Sequence, residues 1–180
     1  MAGKFIIVDG NSLLFRAYHA LPPLTSRTGQ PTGALLGFAE MLLNLLEQEK
    51  PEAAVMVFDA PGPTFRHEQY PEYKATRPPT PDDLKAQVDL AHELAEALGM
   101  RILEVPGVEA DDVIATLAKR AREKGYEVLV VSGDRDLVQV VDNGIQVMAT
   151  VRGFSDVRIY DRDRVLEEFG VAPEQIAELK

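Results

Sequence analysis

Four short apolar runs in this chain each lead into an acid, and helix-length segments separate them. "KFIIV" (4–8) ends at Asp9, and "AAVMVF" (53–58) ends at Asp59. "RILEV" (101–105) is followed about a turn later by Glu109, Asp111 and Asp112, and "EVLVVS" (127–132) by Asp134 and Asp136. Short, nearly continuous apolar runs suit strands buried on both faces, as in a parallel sheet. In such a sheet the carboxyl ends of the strands form one edge, and ligands bind beyond it. The pattern therefore predicts an α/β fold with seven carboxylates delivered to a single edge.

The intervening segments read as helices. "NSLLFRAYHAL" begins at a capping Asn11 or Ser12, with Leu14 and Phe15 expected in the core. Residues 32–50 form an amphipathic helix stopped by Pro51. Thr80-Pro81-Asp82-Asp83 opens a third helix that runs to Leu98. "EADDVIATLAKRAREKG" is a fourth, ending at Gly125, and "RDLVQVV" a short fifth. A fifth strand at 145–149 runs into a hairpin whose second strand lies around Val157–Tyr160. A helix from Asp161 to Phe169 and part of another follow. The expected architecture is a mostly parallel five-stranded sheet with helices on both faces.

Each acid has an ordinary explanation. Asp9 in "DGNS" suits a turn before a helix, and Asp134 in "SGD" suits a cap. Glu109, Asp111 and Asp112 suit a helix N-terminus. A converging set asks for more than capping. Asp111 also lies three residues before Ile114 and seven before Ala118, on the sheet-facing stripe, where an acid needs a partner. Apart from Arg135, no basic residue follows strands one to four closely. Gathered carboxylates either rise in pKa or hold cations. All-oxygen donors without clustered His or Cys favour Mg²⁺ or Mn²⁺. Two such ions suit phosphodiester cleavage.

Net charge seems to oppose a nucleic-acid partner: 29 acids face 19 basic residues, giving −10. Setting the seven candidate ligands aside leaves 22 against 19. Local basic groups then matter more than the total. They concentrate in residues 60–80, a Pro-rich stretch with no helical stripe that contains Phe65, Arg66, His67, Tyr70, Tyr73, Lys74 and Arg77. Basic and aromatic side chains interleaved in this way suit a single strand. Arg16 lies off the apolar stripe of its helix, two turns from Asp9, and could reach a phosphate there. The chain has no cysteine, no signal-peptide pattern in residues 1–20 and no stretch approaching a membrane span, so a cytoplasmic protein without a membrane partner is expected.

"IIVDGNSLLFRAYHA", "VFDAPGPTFRHEQYPEYKATRPPTPDDL", "VPGVEADDVIATLA" and "SGDRDLVQVV" together resemble the 5′-nuclease (5′→3′ exonuclease) domains of the flap-endonuclease family, as found at the N-terminus of bacterial DNA polymerase I. The resemblance covers essentially all 180 residues and implies a PIN-like fold. It makes Asp9, Asp59, Glu109, Asp111, Asp112, Asp134 and Asp136 ligands of two Mg²⁺ or Mn²⁺ ions. Arg16, Lys74 and Asp111 become the candidate catalytic residues. Arg16, Arg66, Tyr73, Lys74 and Arg77 become the candidate DNA contacts, with 60–80 forming an arch or gateway for a 5′ single strand. The implied partners are DNA with a 5′ flap or nick, RNA primer–DNA, and a polymerase domain of the same polypeptide; a monomer is expected. The implied reaction is metal-dependent hydrolysis in primer removal and repair. The family continues beyond a helix like "APEQIAELK" into a helix–three-turn–helix with further aspartates, so residues 1–180 alone are expected to be weakly active. Two other readings remain open on the residues: a non-catalytic Mg²⁺-binding module, and a receiver-like phosphoacceptor. The latter lacks the Lys it needs after its last strand.

Overall fold

The computed structural model describes residues 3–76, 78–152 and 156–179. In chain order the elements are β1 (Lys4–Asp9), α1 (Gly10–Ala20), α2 (Gly33–Glu49), β2 (Ala53–Val57), α3 (Phe65–Gln69), α4 (Asp82–Ala97) and β3 (Arg101–Leu103). They continue with α5 (Ala110–Glu123), β4 (Glu127–Ser132), a 3-10 helix (Arg135–Val140), β5 (Ile145–Arg152), β6 (Asp156–Tyr160), α6 (Arg162–Phe169) and a second 3-10 helix (Pro173–Leu179).

One sheet carries all six strands in the order β3-β2-β1-β4-β5-β6. The first five are parallel, and β6 pairs antiparallel to β5. The expected count of five is thus corrected to six. The hairpin strand extends the sheet because Tyr160 pairs beside Val147, with both side chains buried.

The central strands β1, β2 and β4 bury both faces over most of their length, which is why their runs read as continuous rather than alternating. Ile6 and Val8 point into a core built with α1, α2 and α4. Ile7 points the other way, towards α5, the 3-10 helices and α6. Leu13 and Leu14 anchor α1, whereas Phe15 is 51% exposed. The expectation that Phe15 packs in the core fails because a helix turns about 100° per residue, so three successive side chains cannot share one narrow face. Residues 60–80 also hold more structure than their composition suggests. The short α3 starts where His67 Nδ1 accepts from the Thr64 amide at 3.1 Å. Among the described residues, no helix is long and apolar enough to cross a membrane.

Gln87 on α4 shows how the helical layer is tied together. It is 2% exposed. Its Oε1 accepts from the Leu35 amide at 3.0 Å, one of the N–H groups in the first turn of α2 that the helix itself leaves unbonded. Its Nε2 donates to the Asp83 carbonyl at 2.9 Å. Gln87→Met keeps the volume but strands the Leu35 donor. It is expected to cost about 1–3 kcal/mol, read as a lower urea midpoint with an unchanged slope. An unchanged midpoint would show that water satisfies Leu35 instead.

Candidate active site

The strand order reverses at β1. The chain leaves β1 for β2 and β3 on one side, then returns to β4 on the other. The gap beyond the carboxyl ends of β1 and β4 is where an open α/β sheet binds ligands, because the loops diverge there. Asp9 closes β1, Ser132 closes β4, and Gly133 and Asp134 follow.

Three helices also begin at this edge, and each has an acid at its first amides. Asp9 is the N-cap of α1, its Oδ1 accepting from the Ser12 amide at 3.0 Å. Asp134 caps the 3-10 helix by accepting from the Asp136 amide at 2.8 Å. Asp59 reaches across from β2 to α5, and its Oδ1 accepts from the Ala110 amide at 2.8 Å. Capping and convergence are therefore not alternatives. The helix N-termini supply partial positive charge where the acids gather, which offsets part of their repulsion.

Three polar residues complete this frame. Ser132, fully buried, donates to Asp9 Oδ2 at 2.7 Å and accepts from the Asp134 amide at 3.0 Å. Ser12 Oγ accepts from the Gly133 amide at 2.8 Å. Asn11 Oδ1 accepts from the Asp59 amide at 2.7 Å. Asn11 and Ser12, expected only as caps, thus also brace the neighbouring strand ends, and "DGNS" and "VVSGD" each place a hydroxyl beside a strand-end acid. Gly133 is needed for closeness: a Cβ there would lie 2.9 Å from Ser12 Oγ and 3.1 Å from Arg16 Nη2. That approach also puts Arg16 beside the β4 loop.

The electrostatics divide the acids into two groups. Burial pushes Asp9 up to about 6, against the Ser132 and Ser12 hydrogen bonds, with the Asp59 and Asp134 charges adding to the rise. Burial pushes Asp111 up to about 7, helped by the charges of Asp9, Asp134, Asp59 and Glu109. These acids feel one another with too little neutralisation. Glu109 and Asp112 are treated differently. Arg66 forks onto Asp112 at 2.5 and 2.9 Å and also reaches Glu109 at 3.1 Å. Lys74 Nζ donates to Glu109 at 2.6 Å, and the Tyr73 hydroxyl donates to it at 3.2 Å. Arg66 holds Asp112 below the usual carboxylate range, and Asp112 in turn raises Arg66. Arg135 is the one basic residue that closely follows any of β1 to β4, but it does not serve Glu109 or Asp112. Arg135 is directed at Glu168, 3.9 Å away, and the partners come instead from residues 66–74. Asp136 is half-buried in the first turn of the 3-10 helix. Arg77 lies outside the described residues.

Among the described residues, no three acids already converge on one point as a finished ligand set. The contacts explain why. Asp9 and Asp59 are turned onto hydroxyl and amide donors, and Glu109 and Asp112 onto Arg66 and Lys74. The donor set nonetheless fits a hard divalent cation: it is all oxygen, and Asp9 and Asp111 hold raised pKa values that added positive charge would relieve.

A pH dependence follows for the metal-free protein. The usual carboxylate value for both groups is 3.8, and folding raises Asp9 to about 6 and Asp111 to about 7. Between those values the folded state binds more protons than the unfolded, so stability falls as pH rises through that window. In chelating buffer Tm is expected to be lower at pH 8 than at pH 5. Asp111→Asn is expected to raise Tm at pH 8 and to flatten the slope, measured by differential scanning calorimetry. A parent Tm that rises from pH 5 to 8 would contradict this.

Comparison with known proteins now bears on this geometry. Residues 4–170 match the family described as "5'-3' exonuclease, N-terminal resolvase-like domain". DNA polymerase I of Pseudomonas aeruginosa is 50% identical over 171 residues, covering 95% of this chain but 18% of that protein. A 5′-3′ exonuclease of Aquifex aeolicus is 42% identical over 170 residues, covering 94% of this chain and 57% of the relative. The chain thus spans about a fifth of the DNA polymerase I relatives it matches. Among solved structures, a bacteriophage T5 5′-exonuclease with bound zinc ions superposes with a TM-score of 0.79 at 24% identity, over 98% of this chain and 65% of that one, so the two share a fold. With a match spanning nearly its whole length, the chain belongs to the family of 5′-3′ exonuclease N-terminal resolvase-like domains.

Proposed function

We propose that this domain hydrolyses phosphodiesters near the 5′ ends of DNA or RNA–DNA strands, as a divalent-metal-dependent 5′→3′ exonuclease and flap endonuclease. The observation that carries the reading is the juxtaposition of the strand-end acids with the basic and aromatic residues of 65–74, in a chain of this family. Relatives named DNA polymerase I and 5′-3′ exonuclease support it, as does the shared fold of a T5 flap endonuclease solved with DNA and metal ions.

In this reading Asp9, Asp59, Asp111 and Asp134, with Glu109, Asp112 and Asp136, hold two Mg²⁺ or Mn²⁺ ions. When bound, such ions activate a water and stabilise charge on the phosphate. The chain's own residues then do the rest. Ser132 and Ser12 fix the Asp9 carboxylate so that its orientation is set before substrate arrives. Arg16, beside Gly133, binds the phosphate at the Ser-Gly-Asp loop. Lys74 adds a mobile point charge that favours the more negative transition state. Arg66, Tyr73 and Arg77 guide the 5′ single strand, with Tyr73 offering a ring for a base. The substrates are 5′ flaps, nicks and RNA primers, and the working protein is a monomer with a polymerase domain on the same polypeptide. The family assignment makes a phosphoacceptor or purely structural Mg²⁺ role the weaker reading.

The test is cleavage of fluorescent 5′-flap DNA in Mg²⁺ or Mn²⁺, by residues 1–180 and by a polypeptide extended through the added length its relatives carry. Chelation is expected to abolish cleavage, and the extended form to be the faster. In that form Lys74→Ala is expected to cost roughly 10²–10³-fold, the scale for losing one group that stabilises transition-state charge. Asp111→Asn is expected to cost at least as much. Cleavage that survives chelation, or that treats 3′ flaps as well as 5′ flaps, would refute the assignment.

A further inference from the structure

We propose that Arg66 and Lys74 act as stand-in cations for Glu109 and Asp112, so that loading the acid edge with a divalent ion releases residues 65–75 to receive DNA. This rests on the metal-dependent reading above and adds a mechanism of control to it.

The argument begins with the oxygens. Glu109 Oε1 is taken by Lys74, and Glu109 Oε2 by both Arg66 and Tyr73. Both oxygens of Asp112 are taken by the Arg66 fork. All four carboxylate oxygens are engaged by residues of one segment. A divalent ion binding these oxygens therefore competes with that segment for the same negative charge. The exchange is neutral in charge, because two carboxylates balanced by one guanidinium and one ammonium are equally balanced by one doubly charged ion.

What else holds the segment is slight. No residue from Phe65 to Ala75 belongs to either apolar core. One main-chain bond, from the Phe65 amide to the Gly107 carbonyl at 2.9 Å, fastens its start. Tyr70 is 60% exposed. Lys74 adopts φ +57°, a left-handed conformation that a side chain disfavours, so the turn is under strain while it stays pinned. Arg66 and Lys74 keep about a third of their side-chain surface in water, so neither cation is sealed in by the fold. The same cations are the ones that would meet a 5′ phosphate. Docked on Glu109 and Asp112, they are withheld from nucleic acid; displaced, they become available when the site is charged and ready.

The coupling must run both ways, since linkage is reciprocal. Metal should loosen the segment, and loosening the segment should favour metal. The experiment uses residues 1–180 without DNA. Mg²⁺ binding is followed by calorimetry, and trypsin cleavage after Arg66 and after Lys74 by mass spectrometry. Saturating Mg²⁺ is expected to speed both cuts about tenfold, as an opening equilibrium shifts. Cuts within α5 should not speed up. Glu109→Gln with Asp112→Asn is expected to give the fast pattern without metal and no further response to it. Arg66→Gln, read at the Lys74 cut, is expected to speed cleavage and to tighten Mg²⁺ several-fold. Metal binding that leaves the two cuts unchanged, or slows them, would overturn the exchange while leaving the metal site intact. The absence of any Mg²⁺ binding would instead overturn the metal reading, and this proposal with it.

Discussion

Carboxylates of like charge do not gather without something to hold them, and here the holding is done by backbone amides at the starts of helices. In a parallel sheet each strand feeds a helix that begins at the same edge. Asp9, Asp59 and Asp134 each accept from an amide in such a first turn. The fold thus brings the acids together and supplies the partial positive charge that makes their company tolerable. Asp59 extends the arrangement sideways, since an acid from β2 serves the helix that follows β3. The site is not an addition to the scaffold. Its acids are among the hydrogen bonds that join β1, β2, β4 and α5.

The remaining imbalance falls on Asp9 and Asp111, which are pushed up towards neutrality, while Glu109 and Asp112 are satisfied from residues 66–74. A chain with a formal charge of −10 can therefore belong to a nuclease family without contradiction. The acidity is concentrated where the fold needs it, and the basic groups lie within reach of that same edge.

Much of this was legible in the sequence. Continuous apolar runs and intervening helical periods revealed the parallel sheet, because strands buried on both faces leave no alternation to misread. The placing of Asp9, Asp59 and Asp134 at or just behind strands was visible because the strand ends mark them. What escaped were features that depend on contacts across the fold. Nothing in "FRHEQYPEYK" tells that Arg66 folds back onto Asp112, 46 residues away. Ser132 reads as the end of a strand, and its link to Asp9 appears only when β1 and β4 lie side by side. Phe15 was misplaced because apolar character outweighed helical phase. The sixth strand was seen as part of a hairpin but not as part of the sheet, since strand membership depends on the partner's register and not on local pattern.

The position of β1 has a consequence for how the chain acquires its structure. It precedes every other element of the sheet in the chain, yet it lies in the middle of the sheet between β2 and β4. Ser132, whose hydroxyl secures Asp9, lies 123 residues further along. While the polypeptide emerges from the ribosome, one flank of β1 therefore waits as an open edge until most of the domain has been made. Contacts of such long sequence separation slow folding and expose apolar backbone in the interval. The interval between the emergence of β2 and that of β4, in which one flank of β1 lacks its partner, is set by translation speed and not by the chemistry of the finished site.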